Sequence, residues 1–293
     1  MDFLVKLVEL ARSEMEIPTN YGWFHLMFIG ITVVASVLMC VFFKNADERK
    51  VRRACLAMWV VIVVLEIYKQ LMFTYSVEDG KILADYWWEF FPFQLCSSPL
   101  YILPFVAFLP SGKVHDMMCA FMIAFSIFGG ICVYAFPGDV FCEYIGINIQ
   151  TMVHHGIQIV SGVFLAARYR EKLKIKYYLG GAVIFVAMMG VAMLLNYIVT
   201  PLLRSVGIDD KFSMFYVSPY EPCHLPILSM IYPLVPFPVF LVIYLFGFML
   251  AAAIIFYIAK GIAALSRVVI YTILSVSCLS IFFAHFSTYF YKS

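Results

Sequence analysis

The chain has 293 residues, 64% of them hydrophobic and 18% aromatic, with charged side chains at only 13% and a net charge of +2. Mean hydropathy is +0.94. Soluble domains are about half apolar and a quarter charged, so this composition excludes a cytosolic enzyme, a disordered chain and a nucleic-acid-binding protein, and leaves a polytopic membrane protein.

Residues 1–17 carry Phe3, Leu4, Leu7, Val8, Leu10 and Ala11 at helical spacing, with Lys6, Glu9, Arg12, Glu14 and Glu16 between them. This pattern predicts an amphipathic helix lying in the membrane interface. No basic run leads into an apolar stretch and a small-residue cleavage site, so a signal peptide is not expected. A spanning helix needs about 20 mostly apolar residues. Eight stretches meet this: 22–43, 54–75, 90–109, 115–135, 147–167, 177–200, 230–259 and 268–290. Together they predict a single all-α transmembrane domain over 22–290, a helical bundle of seven to eight spans. Proline interrupts two of them: Pro92, Pro99 and Pro104 in the third, Pro233, Pro236 and Pro238 in the seventh. The runs do not alternate apolar and polar, which excludes a β-barrel.

Basic residues gather in alternate loops. Lys44, Arg49, Lys50, Arg52, Arg53, Arg168, Arg170, Lys172, Lys174 and Lys176 fall on one side, while Glu78, Asp79, Asp85, Glu89, Asp139, Glu143, Asp209, Asp210 and Glu221 fall on the other. The positive-inside rule makes the first side cytoplasmic and places the N-terminus outside. The eight cysteines have no spacing that demands a disulfide framework.

Ionisable groups inside a membrane are costly and tend to face an interior cavity. Here Glu66, Lys69 and Gln70 sit late in the second span, Gln94 and Cys96 early in the third, His154, His155 and Gln158 in the first half of the fifth, and Asn196 near the end of the sixth. With the alternating span directions, all of these lie in the outer half of the membrane. By helix rise, Cys96 and the histidine pair are each about 10 Å below the outer boundary. The bland alternative for each is structural. The histidines can join helices by hydrogen bonds, Glu66 and Lys69 can neutralise one another three residues apart, and Cys96 can simply pack. A shared metal ion is disfavoured, because adjacent helical residues point about 100° apart. The reactive alternative is a thiol whose proton passes to an imidazole. The resulting thiolate attacks an ester, and an amide such as Gln94 or Asn196 steadies the oxyanion.

These residues also carry a resemblance. Phe91-Pro92-Phe93-Gln94-Leu95-Cys96 resembles the Leu-Pro-Leu-His-Leu-Cys motif of the YwaF-like integral membrane proteins, a bacterial family whose animal relative is transmembrane protein 164. Glu66, the pair His155-Gly156 and the pair Asn196-Tyr197 are similar to further landmarks, over about residues 22–260. The sequence departs from the pattern at Gln94, where the bacterial motif has His. It departs again over 213–224, where a Gly-Pro-Trp-Pro type of loop is expected, and the eighth span is extra. The resemblance implies a bacterial plasma-membrane protein and a phospholipid acyltransferase, a transacylase that works without acyl-CoA or any other cofactor. It implies Cys96 as acyl-accepting nucleophile and His155 as base, with His154 as second candidate. Gln94, Glu66, Lys69, Asn196 and Gln158 would support them, and the partners would be phospholipids and lysophospholipids. Two other classes stay open on the residues alone. One is a transporter or binding protein for a lipid or small molecule with a polar intramembrane site; the other is an assembly protein whose polar residues only join helices.

Overall fold

The computed structural model describes residues 2–262. The expected span 268–290, with Cys278 and His285, lies outside the described residues.

The chain begins with α1 (Asp2–Ala11), which leaves Phe3, Leu4, Leu7 and Leu10 exposed. This helix is shorter than the expected 1–17, because residues 12–17 leave helical geometry to pair with a distant loop. The Met15 amide donates to the Glu143 carbonyl and the Ile145 amide to that of Ser13. Next come α2 (Trp23–Phe42) and α3 (Glu48–Met72). The latter starts well before residue 54, since the Asp47 carboxylate accepts from the Lys50 amide and caps the helix. After α3 an antiparallel hairpin interrupts the all-helical architecture. It pairs β1 (Tyr75–Glu78) with β2 (Lys81–Ala84) through Asp79 and Gly80, whose φ values are +51° and +70°. Asp-Gly with two positive φ angles is the type I′ hairpin turn, a signal that a helix-counting reading of the loop passed over.

The expected third span is only partly helical. Residues 86–94 form a single 3-10 turn and extended backbone, then a 3-10 turn at Leu95–Ser97 leads into α4 (Ser98–Phe108). Pro92 lacks an amide to donate and disfavours helix in the residue before it, while Pro99 sits in the first turn of α4, where proline is tolerated. The stretch Leu95–Phe108 is too short to cross a membrane by itself. There follow α5 (Lys113–Ala135), which contains a π-helical segment at Met122–Ser126, then α6 (Ile145–Arg168) and α7 (Ile175–Ser205). Last comes α8 (Phe237–Ile262), which begins later than the expected 230 because prolines at 233, 236 and 238 hold the helix back to its own first turn.

Among the described residues, five helices are long and apolar enough to cross a membrane: α2, α3, α5, α7 and α8. They bury little of themselves, except α5, and they expose stripes such as Val60, Val64, Ile67 and Leu71 on α3 and Val242, Phe246, Leu250 and Ile254 on α8. Such a belt is untenable in water and natural against hydrocarbon. The protein is therefore an integral, polytopic, predominantly helical membrane protein. Helix α6 differs from the others. Fifteen of its 24 residues are buried, among them Asn148, Gln150, Thr151, His154, His155, Gln158 and Ser161. It is the polar axis of the bundle, with α2, α3 and α5 packed around it and α7 on the far side of α5.

Small residues set these approaches. A Cβ on Gly130 of α5 would lie 2.8 Å from the His155 carbonyl, and one on Gly162 of α6 would lie 2.6 Å from the Met122 carbonyl. On Gly156 it would meet Thr32 Oγ1 at 2.7 Å and the Tyr134 hydroxyl at 3.0 Å. Those two hydroxyls are themselves 2.8 Å apart, and Tyr134 donates on to the Met152 carbonyl. Gly190 of α7 faces open space. Gly130→Ala should therefore destabilise the bundle by about 1–3 kcal/mol. Gly190→Ala should be neutral or stabilising by up to about 1 kcal/mol through helix propensity. Thermal unfolding of both variants in detergent checks the contrast.

Candidate functional site

At the end of the bundle that carries α1 and the hairpin, a cavity of about 760 Å³ runs down between α3, α6 and the 86–97 segment. Cys96, His154, His155, Gln94, Glu66 and Lys69 all line it. Six of the eight residues singled out from sequence thus share one wall system. Gln158 and Asn196 do not line the cavity.

Cys96 sits in the 3-10 turn just before α4, so its position depends on how that turn is held. Two side chains from α6 hold it by its backbone. His154 Nε2 lies 2.8 Å from the Cys96 carbonyl oxygen, and Gln158 Nε2 donates to the same oxygen. They are four residues apart, hence on one face of the helix. A carbonyl only accepts, so His154 carries its proton on Nε2 and, in the neutral ring, keeps a lone pair on Nδ1. His155 has the complementary arrangement. Its Nδ1 is 2.7 Å from the Thr151 carbonyl one turn back, which places the proton there and the lone pair on Nε2. Both lone-pair nitrogens are buried without a hydrogen-bond partner among the described residues, and both rings belong to the cavity wall. The sequence placed thiol and imidazoles at one depth; the fold supplies the missing contact between the Cys96 turn and α6.

On α3, Lys69 Nζ lies 2.8 Å from Glu66 Oε1, and Gln70 Nε2 donates to the same oxygen at 2.6 Å. Gln70 also donates to the Phe90 carbonyl and accepts from the Tyr86 hydroxyl. The carboxylate is almost fully buried, and its Oε2 has no partner. A buried pair of this kind is poor evidence for stability, because desolvation offsets the attraction. Its value lies in the charge that it presents to the cavity.

The amides expected to serve an oxyanion are already committed. Gln94 Nε2 donates to the Ser213 carbonyl at 2.9 Å. Asn196 makes a two-way clamp, donating to the Met214 carbonyl at 3.0 Å and accepting from the Met214 amide at 2.7 Å. These bonds, with Thr200 Oγ1 on the Phe212 carbonyl, draw residues 212–216 into the bundle. Phe215 and Tyr216 there take positive φ values of +54° and +55°, a region bulky residues avoid unless their surroundings enforce it. Phe212, Met214 and Phe215 are fully buried by the arrangement, and Tyr216 reaches the cavity wall. Asn196 is thus a structural clamp at one remove from the site. Lys69, paired with Glu66, shares the cavity wall with Cys96.

Sequence reasoning missed Arg12. Its guanidinium donates to the Met72 and Tyr75 carbonyls at 2.7 and 3.0 Å and to the Tyr144 hydroxyl at 3.0 Å, and it stacks 4.7 Å from that ring's centroid. Arg12 also lines the cavity. It also missed Gln150 and Thr151, which the 3–4 spacing from His154 and His155 places on the same face.

A family model described as the TMEM164 family matches residues 20–205. The chain belongs to the TMEM164 family. The matched stretch takes in Glu66, Cys96, His154, His155 and Asn196. Tyr216 and α8 lie beyond the part of the chain that this TMEM164 family model covers. No curated protein and no solved structure matches the chain.

Two roles are separable by mutation. Asn196→Ala removes both bonds to Met214 and should cost about 1–3 kcal/mol, read as a lower melting temperature. Cys96 should remain alkylatable by a membrane-permeant maleimide below that temperature. Loss of labelling in folded Asn196→Ala would instead make the clamp part of the site.

Proposed function

We propose that this TMEM164-family protein is a phospholipid transacylase that carries the acyl group as a thioester on Cys96. The observation that carries the reading is the pairing, in one cavity, of a cysteine with two histidines whose tautomers leave Nδ1 of His154 and Nε2 of His155 unprotonated and unpartnered. His155 acts as the base. His154, with Gln158, acts as the positioning residue that holds the Cys96 turn.

In the first half-reaction His155 Nε2 takes the thiol proton, and the Cys96 sulfur bonds to the ester carbonyl carbon of a phospholipid. The tetrahedral oxyanion collapses and the C–O bond to glycerol breaks. The leaving alkoxide takes the proton from His155 and departs as a lysophospholipid. In the second half, the hydroxyl of another lysophospholipid gives its proton to His155 and attacks the thioester carbonyl. Expulsion of the Cys96 sulfur, which regains the proton, restores the enzyme. Lys69 beside the cavity stabilises the two oxyanions electrostatically, and Glu66 holds its ammonium in place. No redox step and no external energy source is required, since one ester is exchanged for another. The basic loops on the opposite end of the bundle support a cavity on the outer side, and the esters it would draw on are those of outer-leaflet lipids.

Incubation with phospholipid, acceptor withheld, should add one acyl chain to the wild-type mass. The adduct should be released by hydroxylamine and be absent from Cys96→Ala. His155→Gln should reduce transfer by about 100-fold or more, the usual scale for loss of a general base. His154→Gln keeps a donor for the Cys96 carbonyl and should retain more activity than His155→Gln. The reverse ranking would move the base to His154, and an unmodified wild type would favour a polar lipid-binding or transport site instead.

A further inference from the structure

A second, smaller recess of about 330 Å³ lies beside the cavity, on the adjoining face of α3. Val63, Ile67 and Leu71, one turn apart along α3, form its apolar stripe, and Leu100 of α4 faces them. Leu100 is held against α3 by the Trp59 indole, which donates to its carbonyl at 2.9 Å. Ile67 and Leu71 are more than half exposed, on a helix that spans the membrane with little of its apolar window buried. The recess therefore opens sideways into hydrocarbon, not into water.

Three residues, Glu66, Thr74 and Tyr75, line both the recess and the cavity. The partition between the two spaces is thin and polar. It consists of Glu66 and Gln70 on α3 and Thr74 just past its end, tied by Gln70 Nε2 to Glu66 Oε1 and by Thr74 Oγ1 to the Gln70 carbonyl at 2.6 Å. An apolar channel at the lipid boundary that ends on a polar wall shared with a reactive cavity has the polarity sequence of one class of molecule, a lipid entering tail-last. The stripe from Val63 to Leu71 runs about 12 Å along the helix. A water-filled occupant is disfavoured by the apolar stripe, and a protein partner would have to reach it through the bilayer.

We infer that the α3–α4 recess is a lateral portal that binds an acyl chain of a membrane phospholipid, with the chain along Val63, Ile67, Leu71 and Leu100 and the ester end turned past Glu66, Thr74 and Tyr75 into the cavity. The portal rests on the transacylase reading for its purpose, but its occupancy is a binding property that can be measured without the reaction.

The test uses full-length Cys96→Ala protein in phosphatidylcholine nanodiscs doped with a phosphatidylcholine that carries a diazirine in one acyl chain. Photolysis and peptide mass spectrometry then map the adducts. Portal binding concentrates adducts on Val63, Ile67, Leu71 and Leu100, several-fold above Val60 and Val64, which are equally lipid-exposed on the same helix but outside the recess. Ile67→Trp or Leu100→Trp fills the recess and removes the enrichment, and Val64→Trp leaves it. Equal labelling of Val64 and Ile67 in the unfilled protein means an unspecific lipid annulus only and overturns the proposal, without needing either tryptophan variant to fold. The two readings fail separately. A thioester on wild-type Cys96 with even labelling defeats the portal alone, and portal labelling with no thioester defeats the transacylase alone.

Discussion

The Cys96 carbonyl oxygen accepts from two side chains of α6, the His154 imidazole and the Gln158 amide. In a membrane interior no water replaces a missing donor, so a backbone carbonyl at an irregular turn must be satisfied by protein. The break in helix before α4 creates that need, and the polar face of α6 answers it. Because the two donors sit one turn apart on a helix buried among its neighbours, the turn has one place to dock. Cys96, the histidine pair and the cavity wall are assembled by the same contact.

The remaining polar residues follow the same logic at larger scale. Residues 212–216 enter the bundle in an unfavourable backbone conformation, held by Asn196, Gln94 and Thr200 through their main-chain groups. The π segment of α5 and the glycines at 129, 130 and 162 let α5 approach α6 closely enough to bury the latter's far side. Arg12 ties the segment after α1 to the end of α3 and to Tyr144. Each of these spends a polar group on structure. Three of the polar atoms left without a partner among the described residues, Nδ1 of His154, Nε2 of His155 and Oε2 of Glu66, belong to side chains that line one cavity.

Several parts of this were legible from the chain. Helices near 23–42, 113–135, 145–168 and 175–205 coincide with apolar runs, because a span must satisfy its own backbone and advertise its length in hydropathy. The likeness carried by Phe91 to Cys96 and by His155-Gly156 led to the family that the comparison then showed. Gly156 has a physical reason to be there, since Thr32 and Tyr134 occupy the space of its side chain. Other parts were not legible. Reading 90–109 as one span overlooked what Pro92 does to its neighbours. Reading 1–17 as one helix overlooked a strand-like pairing with residues 143–145, which no local pattern encodes.

The sequence by itself determined that the protein lives in a membrane, that its ionisable groups cluster at one depth, and that a thiol and two imidazoles are among them. Those properties are additive along the chain: hydropathy, charge and helix rise need no knowledge of neighbours. Only the tertiary structure decided that the Cys96 turn docks on α6, that Gln158 and Asn196 work as scaffold while Lys69 faces the cavity, and which nitrogen of each histidine holds its proton. Those are questions of which donor meets which acceptor across segments far apart in the chain, and a hydrogen bond with a single partner is settled by geometry alone.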